Sequence, residues 1–341
     1  MKIHAMTQDT GGCRFYRLST PFAQLKKLGH ETSIDVSITG EQLNELDVLV
    51  VQFFNGEQDM EFLRFVSRLK KRPLLVYEVD DDLFSIHEVI TKEVAGSNPL
   101  IWGREDTQER VKEALGLVDL VTVTNYHLAA MYAPYAQRVA ILPNAIPDWL
   151  LDLPVGAQPD HFTVGWVCSH SHLLDARDHY DVLQRWMHKN PDARFHWVGP
   201  PKVTAFAPWQ QKVTPWQKDP AAYLASLRHM GFSVGIAPLA DLPFNYGKSG
   251  IKAEEYSAIG VPTIASDFPQ YQEVIEDGKT GFLVKTKGGW GDKLSLLMND
   301  PARRKEMGAA AKEHVSTRTI SKTVYRWIDA YEEALDGRDT A

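Results

Sequence analysis

Residues 47–53, DVLVVQF, restrict the fold more than any other stretch of this chain. They form a near-continuous apolar run with no alternation, as expected of a parallel strand covered on both faces. Such a strand needs helices above and below it, and the neighbouring sequence supplies them. A helical pattern runs from about 14 to 28 and closes at Gly29; another covers roughly 58–71. Residues 2–6, 74–79, 119–124 and 139–142 read as further strands, with helices reaching about 116 and starting at 126. Strands alternating with helices predict a doubly wound α/β sheet.

The pattern then stops and restarts. Pro147, Pro154, Gly156 and Pro159 mark a linker. Beyond it, 162–167, 194–198, 233–237 and 261–265 read as strands, and 173–189 and 221–229 as helices. The 341 residues suit two domains. We place them at 1–148 and 149–317.

Composition excludes several classes. No apolar run approaches the ~20 residues that span a bilayer, and the first dozen residues lack a secretory apolar core. Two cysteines, Cys13 and Cys168, exclude a disulfide scaffold and point to a reducing cytoplasm. The net charge of −7 is concentrated in residues 1–150, against an unaided nucleic-acid binder. Arg64, Arg68, Lys70, Lys71 and Arg72 form the one basic cluster. It reads either as a solvated helix face or as a membrane or nucleic-acid contact.

The chemistry concentrates in 244–266, FNYGKSGIKAEEYSAIGVPTIAS. Gly247, Lys248, Ser249 and Gly250 form a loop. Ile251, Glu255 and Ile259 then recur at helical spacing, Gly260 ends the helix and Pro262 forbids its continuation. Ser249 is placed to cap that helix. A helix N-terminus offers unpaired amides and a positive dipole end to an anion. Lys248 and Lys252 add charge there, and Glu255, one turn further in, suits the two hydroxyls of a ribose. The sketch is a nucleoside diphosphate, set against a solvated basic loop with Glu255 in an ordinary surface pair.

The first domain opens with strand, Gly11-Gly12 and helix, without GxGxxG, so no dinucleotide cofactor is expected. Arg14 and Arg17 begin the helix and are candidates for phosphate or acceptor contact, or helix-surface residues. The run 74–79 ends in Glu78, Asp80, Asp81 and Asp82, at the ligand-binding edge of such a sheet. Asp80 and Asp82 read as loop caps, as acceptor-side groups, or as hard-oxygen ligands for a divalent metal. Cys168-x-His170-x-His172 alternates faces if extended and supplies no fourth ligand, against zinc.

Lys248-Ser249-x-Ile251-Lys252-x-x-Glu255-Tyr256-x-Ala258-x-Gly260-x-Pro262 resembles the donor-site segment of retaining GT-B glycosyltransferases of the family-4 type. The pattern continues through Tyr271-Gln272-Glu273 and Thr280-Gly281-Phe282-Leu283-Val284. The resemblance implies two Rossmann-like domains facing a central cleft, with residues 318–341 packing back on the first. It implies sugar transfer, with retention, from a nucleoside-diphosphate sugar held by the second domain. The acceptor, a glycan, small molecule, protein or DNA, is implied to sit on the first. No metal or other cofactor is implied.

The family bounds this helix with two glutamates; Glu255 matches the second, and Gly247 stands at the first. The family's diphosphate-holding arginine and lysine fall on Ser169 and Leu174, leaving His170 or His172 as substitute donors. Gly199 matches an apolar-Val-Gly turn. Thr214 and Trp216 lie where relatives bind the nucleobase through backbone groups; Trp209 and Trp216 either stack on a base or pack into loops. On this reading Lys248, His170 and Glu255 carry the chemistry. Two other readings stay open: a GT-B descendant that binds sugar nucleotides with weakened turnover, and a DNA-modifying transferase acting on hydroxymethylated bases.

Overall fold

The computed structural model describes residues 1–86, 106–154, 156, 159–199 and 207–339. The polar loop expected over 98–105, with Trp102, lies outside them. The chain divides into two units. Unit 1 holds residues 1–144, 247–249 and 320–341; unit 2 holds 145–246 and 250–319.

Unit 1 carries a six-stranded sheet, β1 (Lys2–Met6), β2 (Glu31–Asp35), β3 (Val48–Gln52), β4 (Leu74–Glu78), β5 (Leu120–Val123) and β6 (Val139–Ile141). Its order is β2-β1-β3-β4-β5-β6 and every pairing is parallel. β3 and β4 are buried at every position, as their apolar runs require. β2, ETSID, is an edge strand whose exposure alternates; its polar sequence gave no apolar run to read. The helical stretch over 14–28 is realised in three pieces, Gly12–Arg14, a π-helical turn Phe15–Ser19, and Thr20–Lys27.

Two members of the basic cluster are spent on internal ion pairs. Arg64 binds Glu113 at 2.6 Å, and Arg72 binds Asp119 and is largely buried. The C-terminal helix Tyr325–Asp339 belongs to unit 1, where the Trp327 ring lies 5.6 Å from the Arg17 guanidinium carbon.

Unit 2 carries β7 (Thr163–Val167), β8 (Arg194–Val198), β9 (Gln211–Thr214), β10 (Val234–Ala237), β11 (Thr263–Ser266) and β12 (Gly281–Val284). The order β12-β11-β10-β7-β8-β9, again all parallel, reverses direction between β7 and β10. Loops leaving these two strands therefore meet at a topological switch point, where open α/β sheets take ligands. Aromatic packing fills the core below: Trp166 and Trp197 lie 4.9 Å apart, Phe195 and Trp197 4.7 Å, with Trp186 and Trp290 nearby.

Tyr256 helps seat helix Ile251–Ala258 on this sheet. Tyr256 is fully buried and its hydroxyl accepts from the Val167 amide at 2.9 Å. The ring fits only because β10 carries Gly235: a Cβ there would come within 2.3 Å of Tyr256. Glycine at this point of a strand marks a close approach of another element.

His196 on β8 is buried neutral. It faces the Met230 carbonyl through Nδ1 at 3.2 Å and the Thr214 hydroxyl through Nε2 at 2.8 Å, and burial pushes its pKa down to about 4. A folded-state pKa below the unfolded value means that acid favours the unfolded chain. The contribution of this group is intact above about pH 6.5 and is lost as pH falls towards 4, on the order of 3 kcal/mol in all. Denaturant unfolding at several pH values should show this slope in the wild type and a shallower one in His196→Gln. Equal slopes would remove His196 as its source.

Candidate active site

In unit 2 the segment after β7 turns through Ser169 and a short 3-10 helix, His170–His172, into helix Leu173–Lys189. Ser169 and Ser171 hydroxyls share a 2.9 Å hydrogen bond. His172 Nδ1 lies 2.7 Å from Asp175 Oδ2. Asp175 is buried, and its Oδ1 accepts from the Ala240 amide at 2.8 Å and Asn245 Nδ2 at 2.7 Å. One carboxylate thus ties the β7 loop to the β10 loop. Sequence reading passed over Asp175; its signal was the i, i+3 spacing to His172. His170 lies in the 3-10 turn, and its side chain is outside the described set.

The second feature is built from helix Ile251–Ala258 and the loop after β9. Glu255 is fully buried and accepts from the Tyr223 hydroxyl at 2.6 Å and from Lys252 Nζ at 3.0 Å. Lys252 Nζ also lies 5.2 Å from the centroid of the Tyr223 ring, and Trp216 stacks on that ring at 6.2 Å with 19° between planes. Trp216 is 44% exposed and Trp209 70%, so neither is consumed by loop packing. Tyr223 was not foreseen; it stands on helix Pro220–Leu227, where the sequence offers only an aromatic at a core position. Thr214 presents its hydroxyl to His196, and its carbonyl accepts from the Gly199 amide at 2.9 Å.

Beside Glu255, Glu254 binds Arg318 Nε at 2.9 Å, and burial pushes its carboxyl pKa up to about 7. Two neighbouring glutamates on one helix thus have different partners. Glu254 fastens the helix to the segment before residue 320, while Glu255 carries the polar cluster under Trp216.

The helix cap differs from expectation. Gly250 is the N-cap residue and no side chain caps it. Ser249 Oγ instead accepts from Asn144 Nδ2 at 3.0 Å, within unit 1. Gly247 and Lys248 also belong to unit 1, where both their carbonyls accept from Asn125 Nδ2, at 2.9 and 3.1 Å. Gly247 has a steric reason: a Cβ there would stand 3.0 Å from both the Asp82 Cβ and Leu128 Cδ2. A glutamate at residue 247 would require these neighbours to give way by a few tenths of an ångström. Gly250 and Ile251 open unit 2's helix.

Unit 1 gathers the remaining candidates. The Asp9 carboxylate accepts from the amides of Gly11 at 3.1 Å and Arg14 at 2.7 Å, wrapping the Gly11-Gly12 turn. Asp82 caps its own loop, accepting from the amides of Phe84 at 2.8 Å and Ser85 at 3.0 Å. Asp80 is held well above the usual carboxylate range by burial and by Asp81. Burial raises Asp81 too, while the Lys248 charge opposes that rise.

Arg17 requires a correction. Expected at the helix surface or on an acceptor, it is fully buried and donates to Glu78 through Nε at 2.6 Å and Nη2 at 3.1 Å. Its Nη1 is bound to the Leu142 carbonyl and to Asn144 Oδ1 at 3.1 Å. The π-helical turn Phe15–Ser19 lies where Arg17 is carried into the core, and the buried Glu78 supplies its charge partner.

Comparison with known proteins follows the same division. Residues 234–314 match the family described as glycosyl transferases group 1. The α/β two-domain fold is like that of GT-B neighbours, and the matched segment, under a quarter of the chain, is similar to glycosyl transferases group 1. Among curated proteins, the chain is similar to the D-inositol 3-phosphate glycosyltransferase of Arthrobacter sp. (strain FB24), 35% identical over 95 residues, 27% of this chain and 23% of that one. The enzyme of the same name from Nocardia farcinica (strain IFM 10152) is 31% identical over 101 residues, 29% of this chain and 22% of its own. The chain therefore spans under a quarter of the length of these relatives.

Solved structures agree in fold. Sucrose-phosphate synthase (tll1590) from Thermosynechococcus elongatus superposes with a TM-score of 0.69 at 15% identity, covering 99% of this chain and 100% of that one. Anabaena Alr3699/HepE in complex with UDP gives 0.65 at 14% identity, covering 98% and 100%. No helix among the described residues is long and apolar enough to cross a membrane.

Proposed function

We propose that this protein transfers a sugar from a nucleoside-diphosphate sugar to an acceptor hydroxyl, with retention of anomeric configuration. The observation that carries the proposal is the Glu255–Lys252–Tyr223 cluster under Trp216, of which Lys252 and Glu255 lie within the matched segment. In this reading Glu255 takes the ribose hydroxyls and Trp216, with the turn at Gly199 and Thr214, borders the base. The diphosphate meets the start of helix Ile251–Ala258, an eight-residue helix with no side-chain cap. Lys248, Lys252 and the Ser169–His172 turn supply the charge and hydrogen bonds that the missing Arg/Lys pair provides elsewhere. Anabaena HepE has been solved in complex with UDP and with UDP-glucose, which makes uridine nucleotides the first to test.

Chemistry at the anomeric carbon follows. The bond to the leaving phosphate lengthens, the sugar takes on oxocarbenium character, and negative charge grows on the phosphate oxygen. Fixed cations and helix-end amides stabilise that charge where it develops. The acceptor hydroxyl attacks from the face the phosphate leaves, and the departing phosphate takes its proton. No step is routed through a metal. The acceptor is assigned to unit 1, near Gly11, Gly12, Arg14 and Asp80.

Glu255→Gln tests the donor side. Losing a charge-assisted hydrogen bond to ribose should weaken UDP or GDP binding by about 1–3 kcal/mol. Calorimetric titration of wild type and variant, after circular dichroism shows both folded, reads this directly. Unchanged affinity would move the ribose away from Glu255. A second reading, a sugar-nucleotide binder with weakened turnover, is motivated by Gly247 and the missing Arg/Lys pair. Slow hydrolysis of a bound donor separates the two.

A further inference from the structure

By sequence the acidic turn after β4 offers a hard-oxygen metal site through Asp80 and Asp82. The folded chain assembles a different set. Cys13, from the β1 loop, joins Asp80 and Asp81, and one ligand atom from each lies within 4.8 Å of the others. Asp82 is outside the set, since its Oδ1 caps Phe84 and Ser85. Exchanging a carboxylate for a sulfur changes the chemistry. A thiolate with two carboxylates suits a borderline cation such as Zn²⁺ rather than Mg²⁺ or Ca²⁺.

Two further observations point to a ligand. Asp80 is only 9% exposed, and its Oδ1 has no hydrogen-bond partner among the described residues. A buried carboxylate oxygen without a donor is costly and rare in a native fold. Arg17 acts on Asp80 through its charge, but its hydrogen bonds go to Glu78, Leu142 and Asn144. The ligand-bearing turns are also held from outside the cluster. Asp9 fixes the amides on either side of Cys13, and Asp82 fixes the loop after Asp81. Such support from a second layer is what a metal site needs to be preorganised.

We propose that Cys13, Asp80 and Asp81 bind one divalent transition-metal ion of the zinc class, with water completing the shell. Ligands about 2.0–2.3 Å from one ion stand well within the 4.8 Å that bounds the present set. The ion pins these two loops of unit 1. It shares Asp80 with the acceptor side proposed above, and the Lys248 charge acts on its ligand Asp81, but its binding does not depend on that reading.

Cobalt(II) is the probe, because a thiolate–cobalt bond gives a charge-transfer absorption in the near ultraviolet that oxygen ligands alone do not. The full chain, purified with chelator and then freed of it, is titrated with CoCl₂. The expected result is a band saturating at one equivalent and displaced by ZnCl₂. It should vanish in Cys13→Ser, weaken at least tenfold in apparent affinity in Asp81→Asn, and persist in Cys168→Ser. With only two cysteines in the chain and Cys168 buried, the assignment is unambiguous. Absence of the band from the folded wild type would overturn the proposal, as would its persistence in Cys13→Ser. Asp81→Asn keeps the test decisive should Cys13→Ser fold poorly: an unchanged titration there also removes the site.

Discussion

Lys248→Ala is expected to lower kcat by about 10²–10³ while KM for the donor rises much less. Negative charge on the leaving phosphate grows in the transition state, so a cation aimed at it contributes mainly there. This chain has few cations for the task, since serine and leucine stand where the family's arginine and lysine pair falls. Lys248 precedes the start of helix Ile251–Ala258 by only three positions, and its main chain is fixed through the Asn125 amide. Its charge opposes the rise that burial causes in the Asp81 pKa. Steady-state kinetics with the true donor, on folded wild type and variant, give the split between kcat and KM. His170→Ala should be milder, because an imidazole is only partly charged near neutral pH. Near-wild-type turnover in Lys248→Ala would place the phosphate site elsewhere, with the His170–His172 turn next in line.

The largest stability effect is expected at Arg17. Its guanidinium and the Glu78 carboxylate are both buried, and the pair is bidentate. Replacing such a pair as a whole can be neutral, but removing one partner strands the other charge in the core. Arg17→Met, which keeps much of the apolar stem against Trp327, should cost about 3–5 kcal/mol. The Leu142 carbonyl and Asn144 lose a donor in the same substitution. The loss is a large part of the ~5–15 kcal/mol that holds a typical domain folded. Urea unfolding, with unit 1 followed through near-ultraviolet signals, measures it. A midpoint unchanged from wild type would mean that water or another group rescues Glu78.

Most of the fold was legible because its strands are buried on both faces. β3, β4 and β7 announce themselves as apolar runs, and Gly29 and Gly260 end helices where the sequence says they should. β2 was illegible for the converse reason, since an edge strand needs no apolar run. The candidate site was legible where the chemistry is local. Lys252 and Glu255 lie three positions apart on one helix, and they pair at 3.0 Å, a local contact that such spacing allows. Long-range partners were not legible. Tyr223 reaches Glu255 from 32 positions away, and Arg17 finds Glu78 across 61. Nothing in a helical pattern distinguishes an arginine turned into the core from one left on the surface. The Ser249 cap failed for a similar reason: Asn144, distant in sequence, takes its hydroxyl.

The central claim is that the chain uses a nucleoside-diphosphate sugar as donor. Nucleotide release from a panel of UDP-, GDP- and ADP-sugars, followed with purified protein, tests it most directly. The account predicts saturable release from at least one of them, slowed by about 10²–10³ in Lys248→Ala. It also predicts that the same nucleotide raises the melting temperature, since a ligand of the native state stabilises it. A folded wild-type chain that neither releases nucleotide from any of these sugars nor is stabilised by any would contradict it.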